Sequence, residues 1–246
     1  MKSRWADYFN DLLNRLPPQR RLHRIGPPGE HLELSEDPPT TWEVVKTVQK
    51  LNNNKASGVD GIAAKMIRLG PAKLISDLNQ LFVKFWEDDT VPDDWTKRLF
   101  CNIFKKGDRS MCSNYHGISL LSVPGKVFGL IVLERMRAVI ERKLRENQWS
   151  LRSGRGCVDK IFCLRMLIEK CVEFQLPGLA IFVDFKATFD SIHHPSMWLI
   201  LADYGIPVKY IQFIRCVYEN CEAAVIVEGQ RTDWLSVETG VRQGCV

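Results

Sequence analysis

The chain has 246 residues, 45% hydrophobic and 26% charged, with a formal net charge of +5. That balance suits a soluble globular protein of one large or two small domains, and no apolar run approaches the roughly 20 residues a membrane-spanning helix needs. A mild basic excess is compatible with a nucleic-acid partner without requiring one.

The start, MKSRWADYFNDLLNRL, is polar and amphipathic and lacks the apolar core of a signal peptide. The chain is therefore expected inside the cell, in cytoplasm or nucleus, with no membrane partner. A helix is predicted over residues 3–16, with Trp5, Tyr8, Phe9, Leu12 and Leu13 on one side. The proline-rich stretch from Pro17 to Pro39 reads as a linker. Next comes a helix from Thr41, the expected N-cap, to about Leu51, and then the turn-rich loop NNNKASGVDGI. Helical spacing returns near Ala63 and through LISDLNQLFVKFWEDD (74–89).

The segment KRLFCNIFKKGD (97–108) reads as a strand ending in a turn, with NYHGISLLSV (114–123) as its hairpin partner. A long amphipathic helix is expected from Lys126 to Asn147, followed by the glycine-broken SLRSGRGCVDK and a helix from Val158 to Phe174. Leu179 to Val183 are apolar without alternation, which predicts a strand covered on both faces. Helices follow over Pro195–Tyr204 and Val208–Asn220, then two strands around a turn at Glu228, Gly229 and Gln230. The expected class is α+β.

Eight cysteines are scattered, with no C-x-x-C pair and no histidine at zinc spacing, so they read as reduced thiols without a chemical task. Between Lys126 and Arg155 eight basic residues face three acidic ones, as many in excess as in the whole chain. This is either a solvated helix face or a surface for a polyanion.

Asp184 closes the apolar run in GLAIFVDFKATFDSIHH (178–194). A carboxylate at the end of a covered strand needs a cation or strong donors, because burying an unpaired ion costs several kcal/mol, roughly. A divalent metal ligand and a helix-capping acid both fit. A phosphotransferase aspartate of the haloacid dehalogenase type does not, since the D-x-D position that should carry the second acid is Lys186.

Six segments in order change the balance: LNNNKASGVDGI (51–62), IFKKGDRSMCSNYHGISLL (103–121), GKVFGLIVLERM (125–136), SGRGCVDKIFCLR (153–165), FVDFKATFD (182–190) and GVRQGC (240–245). Together they resemble the reverse transcriptases of non-LTR (LINE-type) retrotransposons, and RWADYFNDLLNR (4–15) resembles the segment preceding that domain. The resemblance implies an RNA-directed DNA polymerase with a right-hand fold. It divides the chain into an N-terminal extension and linker (1–40), a fingers-like region (41–175) and a partial palm (176–246), without a thumb. Two Mg²⁺ ions would drive attack of a primer 3′-hydroxyl on an incoming dNTP.

By the same resemblance Asp184 is the first catalytic, metal-binding aspartate, and Phe185 offers its carbonyl to a metal. Asp190 is a structural acid. Phe189 lies under the sugar, and Gln243 and Gly244 lie beside the nucleotide. Lys105 and Lys106 meet triphosphate or template, His116 occupies a triphosphate-contacting position, and Lys126, Gly154 and Arg155 face the template backbone. RNA template and DNA primer are the implied partners.

Several positions depart from the family pattern. The two adjacent aspartates that complete the metal site lie beyond GVRQGC and are not in this sequence, so the expectation is a fragment that does not polymerise alone. His116 replaces the usual arginine and so loses a permanent charge and a forked donor. Thr188 stands where alanine is usual. The alternative expectations are a non-catalytic nucleic-acid-binding remnant and a remnant that folds poorly.

Overall fold

The computed structural model describes residues 1–18, 31–53, 55–150, 152 and 154–242. Gln243 and Gly244 lie outside the described residues. Contacts divide the chain into two compact units, 1–136 with 187–246, and 137–186. In chain order the α-helices are α1 (Lys2–Leu13), α2 (Thr41–Gln49), α3 (Ala64–Arg68), α4 (Ala72–Asp88), α5 (Asp93–Thr96), α6 (Val123–Lys143), α7 (Cys157–Glu173), α8 (His194–Asp203) and α9 (Val208–Tyr218). The strands are β1 (Lys97–Phe104), β2 (Tyr115–Leu120), β3 (Glu222–Val227), β4 (Gln230–Arg231) and β5 (Leu235–Ser236). The class is α+β, as expected.

In the first unit β1 and β2 form the expected antiparallel hairpin, with Ile103 opposite His116. β3 joins β1 in parallel, Leu99 beside Ala224, and its other edge carries β4 and β5, both antiparallel. α1 forms because Trp5, Phe9 and Leu13, four residues apart, make one apolar stripe. The stripe is buried with Phe100, Ala223, Val225 and Val237. Phe9 stacks on Phe100 with ring centroids 4.4 Å apart. Ala224, on the opposite face of β3, is also fully buried, so this strand is covered on both sides.

A second, aromatic core joins α4, α5, α6 and α9. Trp86 and Phe213 have ring centroids 4.1 Å apart, and Phe85 and Phe128 4.8 Å. The N-cap of α2 is Thr40 rather than Thr41. Its hydroxyl accepts from the Glu43 N–H at 3.3 Å while Glu43 Oε2 accepts from the Thr40 N–H at 2.8 Å, a complete capping box. The described part of the expected linker is tied to the helices. Leu32 N–H donates to Gly205 O at 2.8 Å, Trp86 Nε1–H to Glu36 O at 2.8 Å, and Tyr210 Oη–H to Ser35 O at 2.5 Å.

In the second unit Arg152 braces the end of α6. It donates to Glu141 Oε1 at 2.8 Å and to the carbonyls of Arg145 and Gln148 at 2.9 and 3.2 Å. α7 follows, with no buried residue. The strand expected over Leu179–Val183 is not formed: residues 176–185 have no regular secondary structure. Leu179 and Phe182 are 89% and 83% exposed. An apolar run becomes a strand only where a sheet edge and covering layers receive it, and among the described residues it pairs with none. No described helix is long and apolar enough to cross a membrane.

Candidate functional site

Two segments far apart in sequence are clasped in the first unit. One is the turn at Phe189–Ser191 leading into α8, and the other is residues 239–242, which lead into the GVRQGC motif and include its first three residues. Val241 N–H donates to Phe189 O at 2.7 Å, Gly240 N–H to Ile192 O at 2.8 Å, and His193 and Thr239 form an antiparallel bridge. The Thr239 hydroxyl lies within hydrogen-bonding distance of Asp190 O, at 3.1 Å, and of Leu13 O, at 2.8 Å. Gly240 has φ +86°, and a Cβ there would lie 2.9 Å from Asp190 Cα. Only glycine meets both conditions.

The ring of His194 closes the clasp, with Nε2 2.8 Å from Gly240 O. Burial holds its pKa below the ordinary histidine value, and the Arg98 and Arg242 cations push the same way, against the favourable Gly240 hydrogen bond. The imidazole is therefore neutral at physiological pH and carries its proton on Nε2, since a carbonyl can only accept. The clasp leaves Phe189 47% exposed, with its carbonyl bonded two residues before Gln243.

The β1–β2 turn is braced from inside. Lys105 N–H donates to Asn114 O at 2.9 Å, and Asn114 Nδ2–H donates to Asp108 O at 2.9 Å. Asp108 accepts from the Ser110 N–H and hydroxyl, both at 2.8 Å, and these bonds, the backbone one first, hold its carboxyl below its ordinary pKa. Arg4 also donates to Ser110 O. This bracing leaves Lys105, Lys106 and, on β2, His116 exposed together on one hairpin.

The SGVDGI loop fixes the start of α6. A Cβ at Gly58 would meet the Leu121 carbonyl carbon at 2.4 Å, so backbone packs on backbone there. Ser122 Oγ–H donates to Asp60 Oδ2 at 2.7 Å and Ile62 N–H to Asp60 Oδ1 at 3.0 Å. Lys126, one turn along α6, lines an apolar cavity of the first unit.

The remaining expected site residues belong to the second unit. Asp184 is an exposed carboxylate on the unpaired segment, and Phe185 is 72% exposed. Arg155 is half-buried; it donates to Glu146 O at 2.8 Å and lies over the Trp149 ring at 5.1 Å.

Sequence reading passed over Arg98 and Arg242, which are 1% and 7% exposed. Strand alternation places Arg98 on the buried face beside Phe100, and a basic residue at an inward position is a signal the hydrophobic pattern hides. Arg242 lies in GVRQGC, where the flanking glycines suggest a turn rather than a buried cation.

Residues 103–246 match the family described as reverse transcriptase (RNA-dependent DNA polymerase). The chain is 26% identical, over 87% of its length, to the RNA-directed DNA polymerase from the mobile element jockey of Drosophila funebris, covering 24% of that protein. It is 29% identical, over 86%, to the 115 kDa protein of the type-1 retrotransposable element R1DM of Drosophila melanogaster, covering 20% of it. It is 24% identical, over 87%, to the 149 kDa protein of transposon TX1 of Xenopus laevis, covering 16%. The chain thus spans at most about a quarter of these relatives. The matched region runs from the end of β1 through the clasp, and on it this chain belongs to the reverse transcriptase family, among proteins of non-LTR retrotransposons.

Proposed function

We propose that the chain is the part of a non-LTR retrotransposon reverse transcriptase that grips an RNA template and DNA primer and seats the incoming dNTP. The finer picture is a right hand, with fingers over 41–175, a partial palm over 176–246, and 1–40 as an extension. Lys105 and Lys106 act as point charges toward phosphates, and His116 supplies a weaker donor than arginine there. Phe189 lies under the sugar with Gln243 and Gly244 beside the nucleotide. Lys126 and Arg155 face the template backbone. The observation that carries this reading is the bond from Val241 N–H to Phe189 O, which ties the residue expected beneath the sugar to the motif expected beside the nucleotide.

The reaction implied by the family uses divalent metal ions. Among the described residues no group of three or more His, Cys, Asp or Glu side chains is positioned to hold one. Asp184 and the Phe185 carbonyl supply one carboxylate and one neutral oxygen. Mg²⁺ demands near-octahedral oxygen ligation and dehydrates reluctantly, so this donor set does not fit a two-magnesium centre. The 246-residue chain alone is therefore proposed not to extend a primer.

Two assays test the reading. Primer extension on an RNA template with Mg²⁺ and dNTPs is expected to give no incorporation above background; incorporation overturns the proposed inactivity. Binding to the same primer–template is expected to weaken linearly in log–log salt plots, and Lys105→Ala with Lys106→Ala should reduce that slope by about 0.9 for each phosphate no longer neutralised. Salt-independent binding, or none, overturns the grip.

The exposure of Asp184, on a segment that pairs with no strand among the described residues, favours a second reading, a nucleic-acid-binding remnant without a nucleotide seat. Photocrosslinking with an azido-dNTP separates the two. Labelling of residues 187–246 that unmodified dNTP competes away supports the seat, and primer–template binding without such labelling supports the remnant.

A further inference from the structure

The first unit contains a cavity of about 340 Å³ between α5, α6, α9 and residues 241–242. Its wall is mostly apolar, formed by Trp95, Phe128, Val132, Met136 and Phe213 among others, and it contains Arg242 and Lys126 but no carboxylate. The position of Arg242 makes the cavity more than a packing gap. Its guanidinium donates to the carbonyls of Trp95 at 2.5 Å, Thr96 at 3.4 Å and Val217, and lies over the Tyr218 ring at 5.2 Å. These oxygens are all neutral. Nε has no partner, and no ion pair to Arg242 is formed among the described residues. Arg98, buried nearby with its own Nε and Nη2 unpartnered, adds positive potential.

We propose that this cavity binds a small amphipathic carboxylate, with the acid group toward Arg242 and the apolar body against Phe128, Val132 and Phe213. A guanidinium buried without a counter-ion is costly, and an incoming carboxylate offsets that cost by charge-assisted attraction to the side chain whose Nε–H is unpartnered. Volume places the ligand at the small end of the range for bound small molecules. Chemistry narrows it further. A nucleotide or polyphosphate needs several donors around each phosphate, whereas this wall offers two cations and an apolar remainder. A slender monoacid satisfies both halves of the cavity. The proposal does not depend on the nucleotide seat.

Decanoate, decanol and a diazirine-bearing decanoate are suitable probes on the full chain. Equilibrium dialysis is expected to show one saturable decanoate site, with decanol binding at least tenfold more weakly. Val132→Trp, which fills the cavity, should abolish both. Arg242→Met should equalise the two ligands by removing the preference for the acid. Arg242 also holds three carbonyls, so this variant can lose the fold, and photolabelling of the unmodified chain then decides the matter. Label on residues 128–136 or 213–218 upholds the site. Equal affinity for acid and alcohol in the unmodified chain, absence of saturation, or label concentrated on the exposed apolar residues of 158–176 overturns it.

Discussion

Val241 donates its backbone N–H to the carbonyl of Phe189 at 2.7 Å, across 52 residues of sequence. Gly240 makes that approach possible. Gly240→Ala forces a side chain into left-handed backbone and sets a Cβ 2.9 Å from Asp190 Cα. A strained non-glycine residue costs on the order of 1–3 kcal/mol, and the backbone clash adds to it. Urea unfolding of the variant should show a loss of about 2–3 kcal/mol. A change within experimental error would mean that the clasp is not formed in solution.

The motif order, the hairpin and most helices were legible in the sequence because each rests on a local signal. Periodicity placed α1, α4 and α9, and Lys-Gly-Asp marked the turn after β1. The clasp was not legible, since hydrogen bonds between Phe189, Ile192, Gly240 and Val241 leave no trace in composition. For α2, the capping box Thr40–Glu43 was readable, and choosing Thr41 overlooked the three-residue spacing to Glu43.

Glu43 also anchors α6 to α2. Arg135 donates from Nε to Oε1 at 2.6 Å and from Nη2 to Oε2 at 2.8 Å, while Nη1 donates to Asp37 O at 2.7 Å. Burial pushes the Glu43 pKa up, but the bonds from Arg135 and Thr40 outweigh it and lower it from 4.5 to about 2. A depressed carboxylate stabilises the fold above its unfolded pKa and loses that contribution as pH falls through the folded one. Stability should therefore decline between pH 4.5 and about 2. Glu43→Gln should cost about 2–3 kcal/mol at neutral pH and flatten that limb in urea titrations.

His194 works with the opposite charge type. Its pKa is lowered by burial first, so the unfolded chain binds a proton that the folded chain refuses. Stability attributable to this group is present above the unfolded histidine pKa and is lost as pH falls below it. Thermal melts should show a midpoint that drops between about pH 7.5 and about pH 5.5, the range around an ordinary histidine pKa. His194→Gln keeps a donor for Gly240 O while removing the titration, and its midpoint should fall less over that interval. Parallel curves for the two proteins would assign the acid sensitivity to another group.

The apolar run before Asp184 gives the sharpest contrast between pattern and fold. Val225 and Ile181 both sit in strand-like apolar sequence, yet Val225 is fully buried and Ile181 is 77% exposed. Sequence alone cannot separate them, because an uninterrupted apolar run states a preference for cover without stating whether a sheet edge is there to provide it. Val225 has one: β3 lies between β1 on one side and β4 and β5 on the other. Val225→Ala should therefore cost about 2 kcal/mol, from reduced transfer energy and the cavity left behind. Ile181→Ser should stay within about 0.5 kcal/mol, as surface changes do. Chemical denaturation of both variants measures the difference directly. A core-sized loss at Ile181 would show that residues 179–183 are packed as a strand in solution, and Asp184 would then stand at the tip of a covered element after all.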